Sequence, residues 1–355
     1  MNKKLLIAMS GGVDSSVASL LASNDGFECS GATMRLYDDM ASVSNDELLT
    51  LNTSAHDALK VCQRLGIDFH LLDCRADFES KVINEFISAY ERGDTPNPCV
   101  ICNKQIKFGI FMDKAKEMGF DRIATGHYAI CEKSGDRYLL KKGADASKDQ
   151  SYFLYSLNQS QLSRTVFPLG GLTKDKIREI ALENGFENAS KKDSQDICFV
   201  PDGDYVSVIK KFTNKEYPKG NFVNTNGDII GTHLGFINYT VGQRKGLGTG
   251  FGERVYVCSK NAATNEVVLG KNEDLFSSSL DACDFNWIAT DVPTSSIRAS
   301  AKVRYSAKEA SVTVHPISET KVHIEFDTPQ RAIAKGQAVV LYDGDCVVGG
   351  GTIER

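Results

Sequence analysis

The chain has 355 residues, of which 41% are hydrophobic and 25% are charged, and its formal net charge is −5. These values are ordinary for a globular protein, and the length suits two or three domains. No apolar stretch is long enough to cross a bilayer and no signal-peptide core is evident, so we expect a cytoplasmic protein without a membrane partner. The negative charge argues weakly against a nucleic-acid partner, but it does not locate local basic patches.

Apolar runs typical of strands alternate with segments of helical spacing from Met1 to about Asp202. The predicted strands are Lys4–Met9, Glu28–Met34, Asp68–Asp73 and Arg122–Gly126, and the predicted helices are Ser15–Ser23, Glu47–Leu65, Phe78–Glu91, Lys107–Met118 and Lys174–Asn184. Such alternation predicts an α/β domain over residues 1–202, with a parallel sheet covered by helices on both faces.

The pattern changes after residue 202. Residues 203–272 are rich in glycine and predict a small central domain. Residues 273–355 contain short alternating segments that predict an antiparallel β-barrel: Ile297–Arg304, Ala310–His315, Lys321–Phe326, Ala338–Asp343 and Cys346–Ile353.

The first predicted strand ends in the loop Ser10-Gly11-Gly12-Val13-Asp14-Ser15, which opens the first helix. Glycine amides, serine hydroxyls and the positive end of a helix favour an oxyanion, although a Gly-Gly pair also serves as a plain strand-to-helix turn. The loop lacks the Gly-Lys-Ser/Thr and G-x-G-x-x-G signatures of other phosphate loops. It resembles the Ser-Gly-Gly-x-Asp-Ser loop of the PP-loop ATP pyrophosphatases, which cleave ATP between the α and β phosphates.

Ligands of parallel sheets lie at the carboxyl ends of the strands. Met34 and the pair Gly126-His127 end the second and fourth predicted strands, so they belong on the same side as the glycine loop. A methionine there fits over an adenine, but a core position is the commoner role.

Ten cysteines without a secretory signal predict thiols, metal ligands or catalytic groups rather than a disulfide framework. Cys99 and Cys102 form a Cys-x-x-Cys just before a predicted helix, and Cys198 stands alone in a polar loop. The helix dipole, with Lys104 and Lys107, predicts stabilised thiolates. Two hypotheses stay open: Cys102 and Cys198 are a nucleophile and a sulfur carrier, or all three cysteines hold an iron–sulfur cluster.

Several motifs occur in one order along the chain, and together they resemble the bacterial tRNA-specific 2-thiouridylases. They are the loop at Ser10–Ser15, Asn97-Pro98 with Cys102-Asn103-Lys104, Ala124–Tyr128, Lys148–Phe153, Ser194–Phe199, Gly242–Gly248 and Lys302–Tyr305. The resemblance covers essentially the whole chain.

That resemblance implies a sulfurtransferase that adenylates the C2 oxygen of the wobble uridine in tRNAs for Lys, Glu and Gln. Cys198 would carry a persulfide from a sulfur relay or cysteine desulfurase, and Cys102 would end in a transient Cys102–Cys198 disulfide. ATP, with Mg²⁺, would be bound by Ala8, Met9, Ser10, Gly11, Gly12, Val13, Asp14, Ser15, Met34 and Gly126. The positions matching tRNA contacts are Asn97, Pro98, Cys99, His127, Lys148, Asp149, Gln150, Arg304, Tyr305 and Gln337.

One position departs from the family pattern. Many family members have Asp where this chain has Cys99. Related 2-thiocytidine enzymes hold a [4Fe–4S] cluster with a Cys-x-x-Cys and a third Cys, so the cluster on Cys99, Cys102 and Cys198 stays an alternative. A PP-loop ligase acting on a small molecule would explain the ATP loop but not the cysteines, and the intact loop argues against a non-catalytic RNA-binding module.

Overall fold

Five parallel strands form the sheet at the centre of the amino-terminal part of the chain, in the order β3-β2-β1-β4-β7. This computed structural model describes residues 3–37, 53–191, 196–200, 203–248 and 250–355. The strands are β1 (Lys4–Ala8), β2 (Glu28–Arg35), β3 (Asp68–Asp73), β4 (Arg122–Ala124) and, after the antiparallel hairpin β5 (Ala129–Ser134) and β6 (Arg137–Lys142), β7 (Thr165–Val166). Leu5, Leu6 and Ile7 of β1 are fully buried, as expected for a central strand covered on both faces.

Helices connect these strands. They are α1 (Val13–Asn24), α2 (Thr53–Leu65), α3 (Arg75–Phe78), α4 (Asn84–Glu91), α5 (Pro98–Ile101), α6 (Phe111–Glu117), α7 (Gln159–Ser163) and α8 (Lys174–Glu183), with π-helical turns at Glu79–Ile83 and Cys102–Ile110. The predicted helix Lys107–Met118 begins earlier, at Pro98, because helical backbone continues from α5 through the π-helical segment into α6. The first part of the predicted helix Glu47–Leu65 lies outside the described residues.

The remaining elements form a mixed sheet and a barrel. Helix α9 (Tyr205–Thr213) is followed by β8 (Gly220–Val223), β9 (Ile229–His233), β10 (Tyr256–Asn261) and β11 (Glu266–Gly270), in the order β10-β11-β8-β9. The barrel strands are β12 (Phe276–Trp287), β13 (Ile297–Lys302), β14 (Ala310–Ser318), β15 (Lys321–Arg331), β16 (Ala338–Asp343) and β17 (Cys346–Ile353). Their order is β12-β15-β14-β13-β16-β17, and pairing of β12 with β17 closes the barrel. The predicted fold class, a parallel-sheet α/β domain followed by a small domain and an antiparallel barrel, is confirmed.

The chain forms two compact units. The first comprises residues 1–82, 99–195 and 345–348, and the second comprises residues 83–98, 196–344 and 349–355. Residues 83–98, which the sequence places with the first domain, group with the second unit because Tyr90 stacks on Tyr205 at 4.5 Å and Phe86 meets Phe199 edge-on at 5.2 Å. Within the described residues, no helix is both long and apolar enough to cross a membrane.

Candidate active site

The glycine loop follows the central strand and is fixed by hydrogen bonds from its own serines. The hydroxyls of Ser15 and Ser16 both donate to the carbonyl oxygen of Gly12 at 3.0 Å, and the amide of Ser10 donates to Ser15 Oγ at 3.3 Å. The sequence predicts that the hydroxyls of Ser10, Ser15 and Ser16 bind an oxyanion. In the structure the hydroxyls of Ser15 and Ser16 hold the turn instead, so the backbone amides and the exposed Ser10 hydroxyl are the groups left to face an anion.

The two glycines of the loop differ in what they require. Gly11 has φ +70°, and a Cβ there would lie 2.1 Å from the carbonyl oxygen of Ser54, so no other residue fits. Gly12 is the N-cap of α1 with φ −89°, and a Cβ there would meet a single atom of the described residues, Ser10 Oγ at 3.5 Å. Gly12 therefore leaves the helix without a side-chain cap, and the first N–H groups of a helix have no partner within it.

The strand register brings the other predicted nucleotide residues beside this loop. β1 pairs Ala8 with Ala32 of β2 and Ile7 with Ala124 of β4. Met34, near the carboxyl end of β2, and Gly126, just after β4, therefore lie at the same edge of the sheet. The sheet order changes direction between β1 and β4, which is where open α/β sheets bind ligands. A Cβ on Gly126 would lie 3.1 Å from the backbone of Asp14 and Ser15, so this close approach favours glycine. The side chains of Met9 and Val13 are buried, so these two residues would contact a nucleotide through their backbone.

Three residues stabilise the glycine loop although the sequence alone assigns none of them a contact with it. Lys174 Nζ lies 2.8 and 3.0 Å from the two carboxylate oxygens of Asp14, and Tyr128 donates its hydroxyl to Asp14 Oδ1 at 2.6 Å. Asn188 Nδ2 donates to Gly11 O at 3.0 Å and to Ser16 Oγ at 2.9 Å. Lys174 starts a predicted helix and Tyr128 stands in a quoted motif, but no local pattern indicates that either one contacts Asp14.

Cys102 and Cys99 lie on the helix that leads away from Pro98. Cys102 is buried on the π-helical segment and Cys99 is exposed on α5. Burial raises the pKa of the Cys102 thiol. Cys99 is exposed as a residue, but the protein atoms around its sulfur desolvate the thiolate and raise the pKa of that thiol too. The charge of Lys107 lowers both pKa values only in part. The prediction that the thiolate forms of Cys99 and Cys102 are stabilised is therefore wrong, because desolvation of the sulfur outweighs the nearby positive charge.

His127 is buried next to Lys107. Its Nε2 lies 3.5 Å from Lys107 Nζ, and its Nδ1 lies 2.6 Å from Thr125 Oγ1. A lysine ammonium can only donate, so Nε2 accepts and Nδ1 carries the proton. Burial, and then the charge of Lys107, hold the pKa of His127 well below its ordinary value.

Several predicted tRNA contacts have partners within the chain. Asp149 is buried and accepts hydrogen bonds from the amides of Gly143 and Ser151. Gln150 Oε1 accepts from the amide of Tyr128. The predicted positions whose side chains are held inside their own unit are His127, Asp149, Gln150 and Gln337. Their contact with tRNA stays a prediction.

The other predicted tRNA positions differ in exposure. Asn97, Lys148 and Arg304 are half-buried, Pro98 is buried, and Tyr305 is exposed, with Lys302 Nζ 5.6 Å from its ring centre. Cys198 lies in the second unit, exposed, beside the buried Phe199 and Val200. Part of its predicted polar loop, residues 192–195, lies outside the described residues.

The cluster hypothesis requires three thiolates placed together. Among the residues that the structure describes, no three His, Cys, Asp or Glu side chains are arranged to hold a metal ion. Cys99 and Cys102 belong to the first unit and Cys198 to the second, and the cluster on these three cysteines stays a prediction.

The chain is an α/β protein of the PP-loop type, defined by its glycine loop at the edge of a parallel sheet. A small β domain and a β-barrel follow the parallel-sheet domain. Family models match residues 3–202 as a tRNA methyl transferase HUP domain, 207–271 as a tRNA methyl transferase PRC-barrel domain and 277–353 as an aminomethyltransferase beta-barrel domain. The chain is 49% identical to the tRNA-specific 2-thiouridylase MnmA of Clostridioides difficile (strain 630), covering 100% of this chain and 99% of that protein. It is 48% identical to tRNA-specific 2-thiouridylase MnmA 2 of Clostridium botulinum (strain Okra / Type B1), with 100% of both chains covered. The chain belongs to the tRNA-specific 2-thiouridylase family.

Proposed function

We propose that this protein is an ATP-dependent tRNA sulfurtransferase that replaces the C2 oxygen of the wobble uridine by sulfur. The observation that carries the proposal is the uncapped N-terminus of α1 at Gly12, beside Gly126, in a chain that matches 2-thiouridylases over its whole length. The proposed substrates are the tRNAs for Lys, Glu and Gln, and the proposed domains span residues 1–202, 203–272 and 273–355.

In the first step, ATP bound along Ala8–Ser15, with Met34 and Gly126 around the nucleotide, reacts with the C2 oxygen. A new bond joins that oxygen to the α phosphorus, and the bond to the β phosphate breaks, releasing pyrophosphate. Helix N-terminal amides suit this step because they stabilise negative charge on phosphate oxygens.

In the second step, the outer sulfur of a Cys198 persulfide attacks C2, and AMP leaves with the C2 oxygen. Cys102 then attacks Cys198 Sγ, so the persulfide S–S bond breaks and its electron pair stays on the sulfur now bound to C2. The product is 2-thiouridine and a Cys102–Cys198 disulfide, which a cellular thiol reduces. The sulfur donor is a persulfide from a sulfur relay or a cysteine desulfurase. A target base within a stacked anticodon loop must be splayed out, which suits several separate tRNA-contacting segments.

The predicted Mg²⁺ requires a carboxylate ligand beside the phosphates of ATP. Asp14, the carboxylate of the loop, already accepts hydrogen bonds from Tyr128 and Lys174. An ammonium beside both oxygens opposes a divalent cation there. Asp14 as placed does not fit a Mg²⁺ ligand.

Single-turnover thiolation of unmodified tRNA, with ATP and a persulfide donor, tests the proposal. Wild-type protein should form 2-thiouridine with AMP and pyrophosphate, whereas Cys102→Ala and Cys198→Ala should bind ATP but form none. Cys283→Ala, a substitution in barrel strand β12, is the matched control and should remain active. Formation of ADP as the stoichiometric product would refute the proposed chemistry.

The same preparation distinguishes the persulfide hypothesis from the iron–sulfur cluster hypothesis. Anaerobically purified wild-type protein should be colourless and free of iron and acid-labile sulfide, and Cys99→Asp should retain thiolation. A brown wild-type protein that loses colour and activity together on Cys99→Ala would establish the cluster mechanism instead.

A further inference from the structure

Lys174 is a buried lysine at the nucleotide loop. Only 5% of its surface is exposed, and lysine is rarely buried unless its charge is paired. Its ammonium bridges both carboxylate oxygens of Asp14 and lies 5.9 Å from the centre of the Tyr128 ring. Its backbone amide donates to Asp145 Oδ2 at 3.0 Å, and Thr173 caps the helix that begins with it. Contacts of both its backbone amide and its Nζ therefore fix the position of the Lys174 side chain.

The position of this charge bears on phosphate binding. Asp14 is the second residue of α1, and the glycine loop leads directly into the N-terminus of this helix. Its carboxylate would repel the several negative charges of a triphosphate or pyrophosphate at this place. A lysine ammonium beside it removes that repulsion and supplies N–H donors, since lysine binds phosphate oxygens as a compact charge.

We propose that Lys174 is a phosphate ligand of the nucleotide site: its Nζ, which lies against the Asp14 carboxylate, binds the phosphate oxygens of ATP and of the pyrophosphate product. The inference rests on the proposed use of ATP, and it assigns to a lysine of this chain part of the positive charge that the predicted Mg²⁺ would supply to the phosphates. It does not depend on the sulfur chemistry or on tRNA.

A purely structural role for Lys174 makes a different prediction. If the lysine only neutralises Asp14, then removing both charges together restores the site. If it binds phosphate, the double substitution Asp14→Asn with Lys174→Met restores folding but not affinity. Met keeps the unbranched apolar stem of lysine without the ammonium, and Asn keeps an oxygen for the Tyr128 hydroxyl.

The test is calorimetric titration of the full chain with inorganic pyrophosphate and, separately, with ATP, in the absence of tRNA and sulfur donor. Lys176→Met is the matched control, because Lys176 lies in the same helix, exposed and paired with Glu179. We expect Lys174→Met and the double variant to bind both ligands at least about tenfold more weakly, as for loss of one charge-assisted hydrogen bond. Lys174→Arg should recover part of the affinity, and Lys176→Met should bind as the wild type does.

Wild-type affinity in the double variant would overturn the inference, as would unchanged affinity in Lys174→Met. The thermal midpoint of each variant reports folding, so if Lys174→Met is unfolded, the double variant alone decides. These outcomes leave the thiolation proposal standing. A wild-type chain that binds neither ligand would instead refute the nucleotide site itself, and with it both proposals.

Discussion

Gln337 donates its side-chain amide to the backbone of the loop that precedes Asn97: its Nε2 lies 2.9 Å from Thr95 O and 3.3 Å from Pro96 O. The amide of Thr95 in turn donates to Lys335 O at 2.8 Å. Between them, Gly336 has φ +86°, and a Cβ there would come within 3.0 Å of Asp94 Cβ. Lys335 and Gln337, which flank Gly336 just before barrel strand β16, therefore hold the loop that leads to Asn97 and Pro98.

Gln337→Glu should uncouple this loop from the segment that leads into barrel strand β16. The substitution replaces a donor by a carboxylate that faces two carbonyl oxygens, so the hydrogen bonds are lost and the loop is displaced. We expect the single-turnover thiolation rate at saturating tRNA to fall about tenfold, as for about 1.4 kcal/mol of lost hydrogen bonding, with tRNA affinity little changed. Gln330→Glu is the control, because Gln330 donates to Thr328 within its own strand. A large loss of tRNA affinity with an unchanged rate would show instead that Gln337 contacts tRNA directly.

Gly12→Ala should separate folding from nucleotide chemistry. A methyl group fits the backbone at Gly12 but stands at the uncapped N-terminus of α1, so the thermal midpoint should be preserved while tRNA-dependent release of AMP and pyrophosphate is lost. Gly11→Ala should instead destabilise the protein by more than about 2 kcal/mol, because it combines a positive φ with a backbone collision. Equal stability of the two variants, measured by urea unfolding, would contradict this reading of the loop.

Lys107→Gln should shift the reactivity of the two cysteines on its helix. Lys107 lowers the pKa of Cys99 and Cys102 against the effect of burial, so its removal raises both values. Alkylation requires the thiolate, and the pH profile of iodoacetamide labelling at each cysteine should therefore move to higher pH. Peptide mass spectrometry resolves the two sites. The exposed Lys104 supplies the control substitution, Lys104→Gln, and an equal shift in that variant would show that total charge matters rather than the position of Lys107.

His127 should make the protein less stable at acidic pH. Its native pKa lies well below the 6.5 of a free imidazole, so below that pH the unfolded chain binds a proton that the native state does not. The contribution of His127 to the free energy of unfolding is fully present above about pH 6.5. It decreases as the pH falls below that value, by at most about 1.4 kcal/mol per pH unit. Urea unfolding at several pH values should show a shallower dependence in His127→Gln than in wild type. His56→Gln, on the exposed face of α2, controls for loss of a histidine, and identical slopes in His127→Gln and wild type would contradict the prediction.

Local sequence determined the elements with strong, short-range signals. The strand at Asp68–Asp73 and the barrel strands Ala338–Asp343 and Cys346–Ile353 were predicted with the bounds that the structure has. Their apolar alternation and flanking turn residues act within a few positions, so no distant contact is needed to recognise them. Strand β12 was missed because Ser277, Ser278 and Ser279 at its start hide the alternation that Leu280 and Ala282 continue. The two-residue strand β7 is too short to carry a pattern.

Tertiary structure decided which distant residues meet and what burial does to them. Lys174 contacts Asp14 across 160 positions and Gln337 contacts Thr95 across 242, separations over which no sequence period operates. Burial likewise decided the sign of the thiol pKa shift at Cys102, because desolvation depends on every segment packed around the sulfur. The sequence by itself determined the order of the elements and the glycine loop, since backbone preferences are local. The charge balance of the site depends on long-range packing, and only the folded chain determines it.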